Sequence, residues 1–148
     1  MKKLLVVLII AITFLVATTI NAGQKQVSSN GMTVTLEGPN SCSKSKSMTV
    51  TVTLSSDTGG GGGSVFTYKV TLREKDKLND DTIDSQTVDS PMESGAWTKT
   101  VTFTFNPKKF EVGKQLELYF IVKGKIIGLP LGGTWTNKSD PLKVKCGK

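Results

Sequence analysis

Thr100-Val101-Thr102-Phe103-Thr104-Phe105 alternates hydroxyl and apolar side chains without a break. A period of two fits a β-strand with one buried face and no helix. The same alternation returns in Met48 to Leu54, where Met48, Val50, Val52 and Leu54 are separated by Thr49, Thr51 and Thr53, and in Met32 to Leu36. Asn106-Pro107 must stop the strand that starts near Trp97, because proline has no N–H for a ladder. Leu116, Leu118, Phe120 and Val122 then define one face of a further strand. These two aromatic strands carry the heaviest apolar load and are expected to form the centre of the core.

Further strands are predicted over Val65–Leu72, Thr82–Val88 and Leu142–Cys146. The remaining stretches read as connections: a polar N-terminal piece from Gly23 to Asn30, a polar loop from Ser41 to Ser47, a flexible run Gly59–Gly63, a charged turn from Glu74 to Asp81, and a long segment from Gly124 to Asp140. No helical period occurs past the N-terminal leader. The expected fold is an all-β antiparallel sandwich of about seven strands with Greek-key connections. From Met32 to Cys146, strand number and alternation resemble immunoglobulin-like and fibronectin-III-like domains. That resemblance implies that the first, second and fifth strands share a sheet, and that loops 55–64, 89–96 and 124–140 gather at one end.

Met1-Lys2-Lys3, the apolar run Leu4 to Ile20, and Ile20-Asn21-Ala22 read as a cleaved signal peptide, residues 1–22. One secreted domain, residues 23–148, is expected to follow, with no membrane span and an extracellular destination. In an oxidising compartment Cys42 and Cys146 are expected to form a disulfide. Lys and Arg outnumber Asp and Glu by 19 to 12, an excess that favours anionic partners such as acidic glycans or lipid headgroups. The lysines are spread over the sequence with no stripe, and a solvated surface is their ordinary explanation. Nucleic acid is not expected, since Arg73 is the single arginine and no motif accompanies it.

The chain contains no histidine. That removes Ser-His and Cys-His nucleophile systems and imidazole metal sites. No catalytic residue, metal or cofactor is assigned. Asp76, Asn79, Asp80, Asp81 and Asp84 crowd one turn and offer oxygen ligands for Ca²⁺, but Lys75 and Lys77 dilute them and a solvated turn is the plainer reading. The threonines of the first, second and fifth predicted strands would line one outer face, the ordinary role of Thr on exposed strands. A regular hydroxyl–methyl surface for an ordered lattice is the sharper alternative, and sheet twist opposes it.

The candidate binding site is Ile126 to Trp135, an apolar stretch with Leu129, Leu131, Thr134 and Trp135 as its ligand-facing residues. Trp135 would offer a flat face to a sugar or protein. The alternative is that this stretch caps the core or begins a hairpin from the preceding strand. Trp97 is expected to be the more buried tryptophan. Asn137-Lys138-Ser139 is a glycosylation sequon, meaningful in a eukaryotic host. These features point to a secreted, non-enzymatic binding module for a glycan or an extracellular protein. A self-associating matrix or coat protein, a lipid carrier and a small hydrolase are the rivals.

Overall fold

The computed structural model describes residues 22–29, 31–57, 65–76, 79–91, 95–110, 115–127 and 134–147. The described strands are β1 (Ala22–Ser29), β2 (Met32–Pro39), β3 (Ser41–Ser43), β4 (Met48–Ser56), β5 (Val65–Glu74), β6 (Asp81–Asp89), β7 (Trp97–Phe105), β8 (Gln115–Ile127), β9 (Thr134–Lys138) and β10 (Leu142–Gly147). They form two sheets. One runs β1-β2-β4-β7, and the other, a curled mixed half-barrel, runs β3-β10-β8-β5-β6 with β9 also on β8.

The Thr–apolar alternation sets the first sheet. Val50 stands opposite Phe103 and Val52 opposite Val101, while Thr51 and Thr102 face out together. Pairing residues of like pattern lets every apolar side chain reach the core at once, which fixes register. The inward residues Val34, Leu36, Val52 and Leu54 are fully buried. Lys99 falls on the same inward row, opposite Leu54, yet is exposed. No bulge shifts the register of β7, so the exposed Lys99 keeps its ammonium in water from an inward-row position.

The two aromatic strands lie in opposite sheets. Between them Asn106 Oδ1 accepts from the Lys108 N–H at 2.9 Å and caps a 3-10 turn, Pro107–Lys109. Phe105 and Phe110 pack edge to face across this corner, centroids 5.7 Å apart. Phe103 and Phe120 are both about completely buried, at 1% and 0% exposure.

Three strands lie outside the expected seven. β1 occupies the polar N-terminal segment expected to be a connection, and it pairs with β2 along its whole length. β3 is a three-residue piece of the expected Ser41–Ser47 loop. It runs parallel to β10 and makes the second sheet mixed, where a wholly antiparallel fold was expected. β9 lies in the expected Gly124–Asp140 connection, and β8 itself extends to Ile127. Of the two explanations weighed for that connection, the hairpin from the preceding strand describes its ends.

Cys42 and Cys146 sit opposite each other on β3 and β10, Cα atoms 4.5 Å apart, and are disulfide-bonded. β9 and β10 share one edge of β8. Ile121 pairs with Lys138, whereas Leu118 pairs with Leu142. Three residues, Ser139 to Pro141, therefore oppose two, Tyr119 and Phe120, which is a bulge. The Ser139 N–H donates to the Phe120 carbonyl at 3.2 Å, and Ser139 Oγ accepts from the Phe120 N–H at 3.1 Å. The bulge tolerates Pro141 and keeps the ladder nearly closed.

Candidate functional site

Trp135 lies on β9 opposite Gly124 of β8, on the inward row. A Cβ at position 124 would overlap the indole, so only glycine leaves room for the ring there. Tyr68 packs on the other side, centroids 5.6 Å apart, and Trp97 meets the same tyrosine at 5.5 Å. The ring is thus seated on backbone and flanked by an aromatic, and it remains half-buried, while Trp97 is 8% exposed. Desolvation in this cluster pushes the Tyr68 phenol above its ordinary value.

Thr134 precedes Trp135 and is exposed on the opposite face, in register with Lys125 and Thr67. Adjacent strand residues point to opposite sides, so the two site residues are separated by the sheet. Leu129 and Leu131 lie outside the described residues, as do the Gly59–Gly63 run and residues 92–94.

Asn137 follows on the inward row, opposite Val122, and is 5% exposed. Its Nδ2 is buried and makes no hydrogen bond to the described residues. In this fold Asn137 is a core-facing amide, and a glycan on that nitrogen would have to enter the space between the sheets.

The outward rows of the second sheet gather charge. Lys69 of β5 stands directly opposite Lys123 of β8, flanked in the same row by Thr87 and Thr136. Lys125 lies two residues further along β8. Lys138 sits 4.4 Å over the ring of Tyr119, whose side chain is on this face yet 1% exposed. Tyr119 Oη donates to Asp80 Oδ2 at 2.6 Å, and Arg73 Nη2 donates to the Asp80 carbonyl. Burial, then this hydrogen bond, pushes the Tyr119 phenol up to about 12. The same bond, as the leading cause, holds Asp80 below the usual carboxylate range. Lys143 Nζ lies 3.6 Å from Glu117 Oε1, an ion pair at the other end of β8. The lysines are therefore not evenly spread, as the linear sequence suggested: β-sheet register collects several of them on one face.

The first sheet differs. Its outward residues are mostly Thr, Ser and Gln, with Pro39 at the end of β2 and Glu37 the single charge among the described positions. Thr49 and Thr104, and Thr53 and Thr100, share hydroxyl hydrogen bonds at 3.1 Å across β4 and β7.

Sequence reading placed Glu74 in a charged turn. The structure puts it at the inward end of β5, 9% exposed. Burial first, then the charges of Asp76, Asp81, Asp80 and Glu117, push its carboxyl up to about 7. The signal was available: Glu74 continues the inward row of Phe66, Tyr68, Val70 and Leu72. Among the described residues, no group of three or more carboxylates or cysteines is arranged to hold a metal ion. No helix of the described residues is long and apolar enough to cross a membrane. No protein-family model matches the chain, and no curated protein matches it.

Proposed function

We propose that this protein is a secreted, non-enzymatic binding module of immunoglobulin-like build that recognises an extracellular glycan or protein. The build is supported by strand order. The first, second and fifth of the expected strands (β2, β4, β7) share one sheet, and the third, sixth and seventh (β5, β8, β10) share the other, as A, B, E and C, F, G do in an immunoglobulin fold. Secretion is supported by the N-terminal leader and by the Cys42–Cys146 bridge.

The observation that carries the binding role is Trp135. A half-exposed indole fixed on Gly124 and Tyr68 has little rotamer freedom left to lose. An anchor ordered in advance binds at lower entropic cost, and tryptophan is a preferred anchor at recognition surfaces. Titrating the protein with a panel of neutral and acidic oligosaccharides, read by Trp emission in a Trp97→Phe background, tests the proposal. A saturable change is the expected result, with the affinity measured by calorimetry lost in Trp135→Ala. A silent indole across the panel, with no protein partner cross-linked at residue 135, overturns it.

Self-association is the second reading, favoured by one observation: the hydroxyl rows of the first sheet form a nearly uncharged face on a basic protein. Elution volume that shifts with concentration would support it. The lipid-carrier reading loses support, since facing side chains such as Leu36, Phe103, Leu118 and Phe120 fill the space between the sheets.

A further inference from the structure

We infer that the outer face of β5, β8 and β9 is a docking surface for a polyanionic glycan, held by Lys69, Lys123 and Lys125 with the threonine hydroxyls that flank them. This surface is on the other side of the sheet from Trp135 and does not depend on it.

Lys69 and Lys123 stand directly opposite each other across β5 and β8. Side chains directly opposite in a ladder are about 5 Å apart at Cβ, and like charges there are destabilising. Lys125 adds a third ammonium about 7 Å along the same strand. All three are exposed, and among the described residues none forms an ion pair. Asp89, the acid nearest in register, is already engaged by the Thr67 hydroxyl at 2.7 Å. A folded sheet that holds three ammonium groups this close together gains when an anion bridges them.

Hydroxyl groups flank the cations. Thr87 and Thr136 end the Lys69–Lys123 row, and Thr134 sits beside Lys125. All three are exposed. Sugar hydroxyls need such donors and acceptors, and a sulfate or uronate carboxylate needs the ammonium groups. A lipid surface fits less well. Interfacial binding buries exposed apolar side chains alongside the charges, and here Tyr119 is buried while Ile121 is half-buried. Nucleic acid fits less well again, because no described residue of this face exposes an aromatic ring for base stacking, and Arg73 is turned to the Asp80 carbonyl.

The test is isothermal titration of the full mature protein with a heparin oligosaccharide and, separately, a uronate oligosaccharide, at low and high salt. The variant Lys69→Gln/Lys123→Gln/Lys125→Gln is compared with Lys46→Gln/Lys108→Gln/Lys109→Gln, which removes the same charge elsewhere. The expected result is binding to one or both glycans that weakens with salt. The first variant should lose on the order of tenfold or more in affinity, and the second should stay within about twofold. Folding of the first variant is not at risk, since relieving the repulsion should hold or raise its denaturant midpoint. Equal losses in both variants would reduce the effect to net charge and overturn the proposal. So would binding confined to phosphatidylserine vesicles, or no glycan binding at low salt. Trp135→Ala separates the two surfaces: retained heparin binding there leaves this face standing even if the tryptophan reading fails.

Discussion

Tyr119 and Asp80 are joined by a 2.6 Å hydrogen bond from the phenol to Oδ2, across a separation of 39 residues. The bond ties the outer face of β8 to the turn that precedes β6. It consumes the hydroxyl of a side chain that is otherwise sealed under Lys138. Asp80 is stabilised as the anion, so the contribution exists above the ordinary carboxylate pKa and fades as pH falls through the lowered one. Tyr119→Phe should therefore lower the denaturant midpoint at pH 7 and lower it less at pH 3. Carbon-detected NMR of Asp80 should show its titration moving up in the variant. An unchanged Asp80 titration would mean that the bond is not formed in solution.

Glu74 should give stability the opposite slope. Burial pushes its carboxyl up to about 7 in the folded chain, from an ordinary 4.5. The folded state holds the proton longer, so the stabilisation is complete below pH 4.5 and is lost as pH rises towards 7. Glu74→Gln should flatten denaturant midpoints across that window while leaving the spectrum of the native fold unchanged. A wild-type midpoint that climbs steadily from pH 4.5 to 7, with the same climb in the variant, would contradict the burial of this group.

Phe103→Ala should cost about 3–5 kcal/mol, because the ring is 1% exposed and its removal leaves a cavity. Its neighbour Thr102 points outward and is exposed. Thr102→Ala should stay within about 0.5 kcal/mol. Equilibrium urea unfolding of both variants settles the assignment of strand faces.

Reducing Cys42–Cys146 opens a loop spanning 104 residues in sequence. The chain-entropy model gives about 4–5 kcal/mol for a closure of that length. Unfolding with and without reductant should differ by that order. Alkylation of the unfolded, unreduced chain should add no mass; uptake of two alkyl groups would contradict the bridge.

Gly124→Ala should unseat Trp135. The added methyl has no free space under the indole, so the ring must swing towards solvent. In a Trp97→Phe background, emission should shift to the red and iodide quenching should rise. Unaltered emission would mean that the ring is not packed on β8.

The legible parts of this fold were the strands whose alternation is driven by burial. β2, β4 and β7 announce themselves because Val, Leu and Phe alternate with Thr, and the cysteine pair was plain from its number and the leader. β1 was not legible: Val27 is the one large apolar residue on its inward row, and it holds its place by pairing with β2. β3 is three residues long, set by the geometry of its neighbour β10 rather than by its own Ser-Cys-Ser. β9 was hidden by Gly132, Gly133 and the polar run after Trp135, although Trp135 and Asn137 do alternate with Thr134 and Thr136. The lysine face needed register. Lys123 and Lys125 visibly share a face, but Lys69 lies more than fifty residues away and joins them only once β5 is laid against β8.

The bridge between β3 and β10 also decides how the molecule bears load. Cys42 to Cys146 is a covalent ring that contains β4 to β9, and β1 and β2 lie outside it. Tension applied through the N-terminal side peels β1 from β2 and β2 from β4, and then meets the sulfur–sulfur bond. Everything inside the ring is shielded from that pull, because the force passes from Cys42 to Cys146 without crossing a strand ladder. Stretching in a single-molecule trap should release the length of chain ahead of Cys42 and no more, until a reductant is added. A protein built this way can yield at one end while the lysine face and Trp135 stay in place.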